Sequence, residues 1–214
     1  MDTFSFLAIS HPVAGVTLSL GDLLGFATGL LCVTLTARAH IWNFPVGILN
    51  SAILGLVFFD QRLFADSLLQ IVFIALSALG WYQWSTRGKT SVAQSFRGTG
   101  WKEQLILVMV ATMVALVLWQ VLLKVKGSAP PLDALITALS LCAQWQLNRR
   151  QASSWLWWIA VDLISVPLYW SRELYLISGL YVVFLGICVQ GWMHWRRLAT
   201  SQVPCAPTGR ESLA

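Results

Sequence analysis

The chain has 214 residues, 57% of them hydrophobic and only 11% charged. A water-soluble domain carries about a quarter charged residues and a disordered one has low hydrophobicity, so both are excluded and the chain reads as an integral membrane protein. Its net charge of +5 is spread between apolar runs and over the C-terminal segment, which is how membrane orientation is set, and forms no patch for nucleic acid.

The N-terminus opens on Asp2 without a basic segment, and Phe4 to Ile9 is too short for a cleavable signal, so an interfacial lead-in is expected there. Seven candidate spans follow, at about 17–37, 45–61, 63–84, 104–124, 131–148, 154–171 and 173–195, against the ~17–25 residues a crossing helix needs. Asn43-Phe44-Pro45 places a capping residue and an early-turn proline at the second span; Pro130-Pro131 opens the fifth and Ser153-Ser154 the sixth. Residues 1–196 form one transmembrane domain, and 197–214 read as a disordered tail.

Loops on one side carry Arg62, Lys124, Lys126 and Arg172. The other side carries Arg38, Arg87, Lys89, Arg97, Lys102, Arg149, Arg150, Arg196, Arg197 and Arg210. Ten against four puts the N-terminus outside and the C-terminus inside. Cys32, Cys142 and Cys188 lie in apolar runs and Cys205 in the tail, so they read as small buried filler, with no staple and no metal set among them.

Residues 21–84 align on 132–195 without a gap at an offset of 111. Asp22 meets Asp133, Arg38 meets Arg149, Phe73 meets Phe184, and Gly80-Trp81 with Trp84 meet Gly191-Trp192 with Trp195. Each repeat (about 17–84 and 131–195) holds three spans, and the fourth, 104–124, is left over as an inverting linker. The expected architecture is therefore all-α, seven helices in a 3+1+3 arrangement of parallel repeats, with substrate bound between the halves near the midplane.

Polar side chains within spans are costly unless paired or facing a cavity. Trp155, Trp158, Asp162, Ser165 and Tyr169 fall on one face of the sixth span. Thr137, Ser140, Gln144 and Asn148 do so in the fifth, and Asp66, Gln70, Phe73 and Ser77 in the third, while the second adds Asn50 and Ser51. Indoles hold flat or cationic rings and amides both donate and accept, so the implied ligand is small, planar and polar. Each feature also has a plainer reading. The span-end residues Trp42, Trp81, Trp84, Trp101, Trp192 and Trp195 read as an interfacial belt, Asp22 and Asp133 as partners of helix dipoles, and the amides as helix-to-helix ties. Gly25 and Gly29 read as packing, Pro167 as a kink, and Asp162 as functional. No Gly-rich nucleotide loop, HExxH or GxSxG is present and nothing asks for a cofactor, so the chain reads as a non-enzyme.

Trp42-Asn43-Phe44-Pro45-Val46-Gly47, Leu63-Phe64-Ala65-Asp66-Ser67-Leu68-Leu69-Gln70, Gly80-Trp81-Tyr82-Gln83-Trp84, the WxxW of Trp155 to Trp158, and Asp162-Leu163-Ile164-Ser165-Val166-Pro167-Leu168-Tyr169 occur in order. Over about residues 20 to 196 the chain thereby resembles the PnuC family of nicotinamide riboside transporters, with Phe64 where that family commonly has Tyr. The resemblance implies a fold similar to full-length SWEET transporters, a homotrimer, and residence in the bacterial cytoplasmic membrane. It further implies facilitated diffusion of a vitamin precursor trapped by a cytoplasmic kinase. Nicotinamide riboside is the expected substrate, with thiamine or riboflavin as alternatives. It places binding residues at Trp155, Trp158, Asp66 and Gln70, to which the stripes add Asn50, Gln144, Asn148, Asp162 and Tyr169. A membrane receptor or sensor, and an enzyme acting on lipid, are the competing classes. Parallel repeats and a short tail favour transport over sensing, and no acid–base cluster supports the enzyme.

Overall fold

Within lipid every backbone N–H and C=O must be paired internally, which turns long apolar runs into helices. The structure, a computed structural model, describes residues 10–13, 16–60, 64–86, 99–124 and 130–200. An antiparallel hairpin, β1 (Ser10–Val13) and β2 (Val16–Ser19), sets Val13 opposite Val16. Seven helices follow: α1 (Leu20–Ala37), α2 (Asn43–Asp60), α3 (Phe64–Thr86), α4 (Trp101–Lys124), α5 (Pro130–Asn148), α6 (Ser154–Ser171) and α7 (Tyr175–Thr200). The expected positions Arg62, Leu63, Arg87, Lys89, Arg97, Lys126, Cys205 and Arg210 lie outside the described residues.

Local chemistry explains most boundaries and corrects three readings. Ser19 and Asp22 form a reciprocal capping box, Ser19 Oγ accepting from the Asp22 N–H (3.1 Å) and Asp22 Oδ2 from the Ser19 N–H (3.0 Å), so Asp22 serves the helix start. Asn43 is the first residue of α2 rather than its cap, because its amide donates to the His40 carbonyl (2.7 Å). Ser153 precedes α6 but does not cap it; it is already helical (φ −63°, ψ −19°), and its hydroxyl donates to Gln146 Oε1 (2.5 Å). The last helix runs on to Thr200, so the boundary expected at 196 falls inside α7. Among the described residues, five helices are long and apolar enough to cross a membrane: α1, α2, α3 from Asp66, α4 and α7. The helices α5 and α6 are not among them, since their polar and indole stripes lower their hydropathy.

The packing closes a circuit: α1 on α2, α2 on α3, α3 on α5, α5 on α6, α6 on α7 and α7 back on α1, with α4 outside against α5. Polar ties fix α4 there. Gln104 Nε2 donates to Gln146 Oε1 (2.9 Å), Trp157 Nε1 donates to Gln104 Oε1 (3.0 Å) and Gln151 Nε2 donates to Glu103 Oε1 (2.8 Å). Part-buried bonds of this kind hold helices together where lipid supplies no hydrophobic drive.

The offset of 111 reappears as geometry in the α1–α2 and α5–α6 loops. Ala39 (φ 54°) and Arg150 (φ 57°) both adopt the left-handed conformation, and both helices end in a Schellman pattern. The Ala39 and His40 N–H groups donate to Thr36 and Leu35 carbonyls, as those of Arg150 and Gln151 donate to Leu147 and Gln146. Asn43 to His40 and Phe44 to Ile41 are likewise matched by Ser154 to Gln151 and Trp155 to Ala152.

Candidate functional site

The ends of α1, α3, α5 and α7 meet the starts of α2 and α6 at one end of the circuit, where Phe44, Trp84, Leu147, Ala152, Trp155, Cys188 and Trp195 form a buried cluster. Phe44 sits edge-on to Trp84 (5.1 Å) and Trp155 edge-on to Trp195 (5.5 Å), the offset equivalents of one another, and the two terminal indoles meet at 6.0 Å. Two glycines make this possible. A Cβ at Gly80 would strike Phe44 and Asn148, and one at Gly191 would lie 2.6 Å from the Trp155 ring. Each terminal indole also donates across to the other half: Trp84 Nε1 to the Asn148 carbonyl (3.1 Å) and Trp195 Nε1 to the Thr36 carbonyl (3.2 Å). Trp84 (3% exposed) and Trp195 (0%) are therefore not the belt residues expected from sequence, whereas Trp42, Trp81 and Trp101 are exposed.

Against this cluster lies a cavity of about 320 Å³ lined by α1, α2, α3, α5, α6 and α7, inside the ~300–1,000 Å³ range of small-molecule sites. Its wall obeys the offset too: Gly47 faces in from one half where Trp158 does from the other, and Ser51 pairs in this way with Asp162, Gln70 with Tyr181, Phe73 with Phe184 and Ser77 with Cys188. Of the residues expected at the site, Asn50, Gln70, Gln144, Trp155, Trp158 and Asp162 line this cavity together.

Their polar atoms are partly committed. Asn50 Nδ2 donates to the Gly25 carbonyl (2.7 Å) and Thr28 Oγ1 (2.9 Å), and Gln144 Nε2 donates to Asn148 Oδ1 (3.2 Å). Two groups on lining residues, Trp155 Nε1 and Asp162 Oδ2, are buried without a hydrogen-bond partner among the described residues. A buried polar group left so costs about 1–3 kcal/mol, which a ligand or water would relieve.

The other three expected residues stand elsewhere. Asn148 is a helix tie: its amide donates to the Leu76 carbonyl (2.8 Å) midway along α3. Tyr169 stacks on Tyr181 (5.2 Å) from behind the cavity wall. Asp66 is exposed in the first turn of α3, away from the lining. Tyr181, Phe184, Cys32 and Cys188 line the cavity unpredicted. For the first two the signal was available, since the offset carries Gln70 and Phe73 onto them. Asp133, read as a dipole partner, does stand in the first turn of α5, where it also pairs with Arg172 (3.9 Å).

Residues 19–197 match the family model described as nicotinamide mononucleotide transporter. The chain is 27% identical to the nicotinamide riboside transporter PnuC of Escherichia coli (strain K12), over 91% of this chain and 94% of that one. It is 30% identical to the riboflavin/roseoflavin transporter RibM of Streptomyces davaonensis, over 81% and 83% respectively. The solved structure titled as the crystal structure of the vitamin B3 transporter PnuC superposes with a TM-score of 0.69 at 21% identity, covering 85% of this chain and 82% of that one.

Proposed function

The chain belongs to the nicotinamide mononucleotide transporter family of multi-pass membrane proteins, and within it we propose that this protein carries nicotinamide riboside into the cell. The observation that supports this most is the cavity between α1–α3 and α5–α7, whose indole, amide and carboxylate groups suit a flat heterocycle joined to a sugar. Trp158 stacks on the ring, Gln70, Gln144 and Asn50 meet its polar edges, and Trp155 and Asp162 supply the unpaired donor and acceptor. The name of the Escherichia coli relative agrees with that cargo.

The halves act as parallel repeats in a 3+1+3 arrangement similar to full-length SWEET transporters, with α4 as the inverting linker. The closed circuit and the matched loop bonds support it. With the N-terminus outside and the C-terminus inside, the aromatic cluster is a cytoplasmic seal, and delivery requires Phe44, Trp84, Trp155 and Trp195 to part. Transport is facilitated diffusion in a bacterial cytoplasmic membrane, drawn inward by phosphorylation of the cargo by a cytoplasmic kinase, and the working unit is a homotrimer. Uptake of labelled nicotinamide riboside into proteoliposomes tests the reading: saturable entry without a pH gradient is expected, and no entry above empty vesicles overturns it. Cysteine labelling tests the sidedness, since modification of Cys205 from outside intact cells would invert it.

Riboflavin is the second reading, favoured by the 30% identity to the Streptomyces davaonensis transporter. The same proteoliposomes loaded against labelled riboflavin separate the two.

A further inference from the structure

The charge in the cavity wall is unbalanced. Among its described lining residues Asp162 is the one Asp or Glu, and none is Lys, Arg or His. Asp162 is 3% exposed, its Oδ2 has no hydrogen-bond partner, and the Cys188 thiol lies against its carboxylate. Three arginines at the ends of α5 and α6 are engaged away from the lining: Arg172 with Asp133 (3.9 Å), Arg149 with Glu103 (3.4 Å), and Arg150 over the Trp84 ring with a bond to the Trp84 carbonyl (3.3 Å). A carboxylate taken out of water with no counter-charge is strongly unfavourable, and a partner brought by a ligand removes that cost. Around it stand aromatic faces, Trp158, Tyr181, Phe73 and Phe184, which attract a flat cation and add little for a flat neutral ring beyond stacking.

We infer that the cavity selects a heterocycle bearing a permanent positive charge, with Asp162 as its counter-charge, and disfavours the uncharged form of the same skeleton. The inference rests on the transport reading above and sharpens it: a pyridinium or thiazolium cargo fits, and a neutral flavin does not. It also makes Asp162 the specificity determinant, since the equivalent position in the other half is Ser51, which has no charge to offer.

The test is calorimetry on the purified full chain with nicotinamide riboside, whose ring is cationic, and with its 1,4-dihydro form, which has the same skeleton and a neutral ring. The cation should bind at least about tenfold more tightly. Asp162→Asn should erase that preference, weakening the cation about tenfold or more while leaving the dihydro form within a few-fold. Equal affinities in the unmodified protein, or equal losses of both ligands in the variant, would overturn the inference, and the first comparison needs no variant to fold. Thiamine and riboflavin separate this inference from the proposed cargo. Binding of cationic thiamine in place of nicotinamide riboside would keep the charge selection and remove the cargo. Preference for neutral riboflavin would remove the charge selection and leave vitamin transport standing, and binding of none of the four would overturn both.

Discussion

The α1–α3 and α5–α7 halves agree at their basic ends and disagree in the middle. At the ends they share left-handed residues, loop hydrogen bonds, a tight glycine against an aromatic ring, and a terminal indole that donates to the opposite half. Along the cavity the first half presents Gly47, Ser51 and Gln70 where the second presents Trp158, Asp162 and Tyr181. The difference separates two demands. Closing one end of a helix circuit is a packing problem that two like halves can solve the same way. A ligand without two-fold symmetry would require the halves to differ, and the lining indole and carboxylate both stand in the half that α4 packs against.

The largest effects should come from the shared end. Phe44→Ala and Trp155→Ala each remove a buried ring, 1% exposed, from equivalent places, and each should cost about 3–5 kcal/mol of stability. Only Trp155 also lines the cavity, so only its variant should weaken ligand binding as well. Thermal unfolding in detergent with calorimetry reads both, and a Phe44→Ala protein as stable as the parent would end the equivalence. Next come the glycines. Gly80→Ala and Gly191→Ala push a Cβ into neighbouring side chains and should each lose about 1–3 kcal/mol. Gly179→Ala and Gly186→Ala, with open space at the Cβ, should be neutral or gain up to about 1 kcal/mol from helix propensity.

How far the fold and site could be read from sequence follows the same division. Helix positions were legible because span length and punctuation are local, and α6 falls at 154–171 as read. Trp84 and Trp195 were misread because an indole at the end of a span looks alike whether it meets lipid headgroups or another helix. Only the paired Gly80 and Gly191, four residues earlier, hinted that a ring lay across them. Asn148 was placed at the site because a polar stripe shows which face a residue shares, not which neighbour stands opposite, and here that neighbour is the Leu76 carbonyl. Tyr181 and Phe184 were left out of the site although the offset of 111 carries Gln70 and Phe73 onto them.

The cavity is where the halves should part company under mutation. Trp158→Ala should lower ligand affinity by about ten- to a hundredfold, the worth of about 1–3 kcal/mol of stacking and cation–π attraction. Its equivalent, Gly47, has no ring to lose. Gln70→Ala should cost about 1 kcal/mol, one hydrogen bond. Isothermal calorimetry ranks them, and equal, unchanged affinity in both variants would move the site off this cavity.

The indole hydrogen bonds are the most direct probe of the proposed seal. Trp84→Phe and Trp195→Phe keep an aromatic ring but lose the indole N–H that crosses to Asn148 and Thr36, which should cost about 0.5–1.5 kcal/mol apiece, more if the abandoned carbonyl stays buried. Both bonds join one half to the other, so both must break if the halves separate at this end. Stability should therefore fall by similar small amounts in the two variants, while exchange of ligand across the membrane speeds up because the closed state has lost part of its advantage over the open one. The indoles are 6.0 Å apart, close enough that the double variant should depart from additivity. A double variant that is strictly additive in unfolding and unchanged in transport would show the two bonds to be independent packing details.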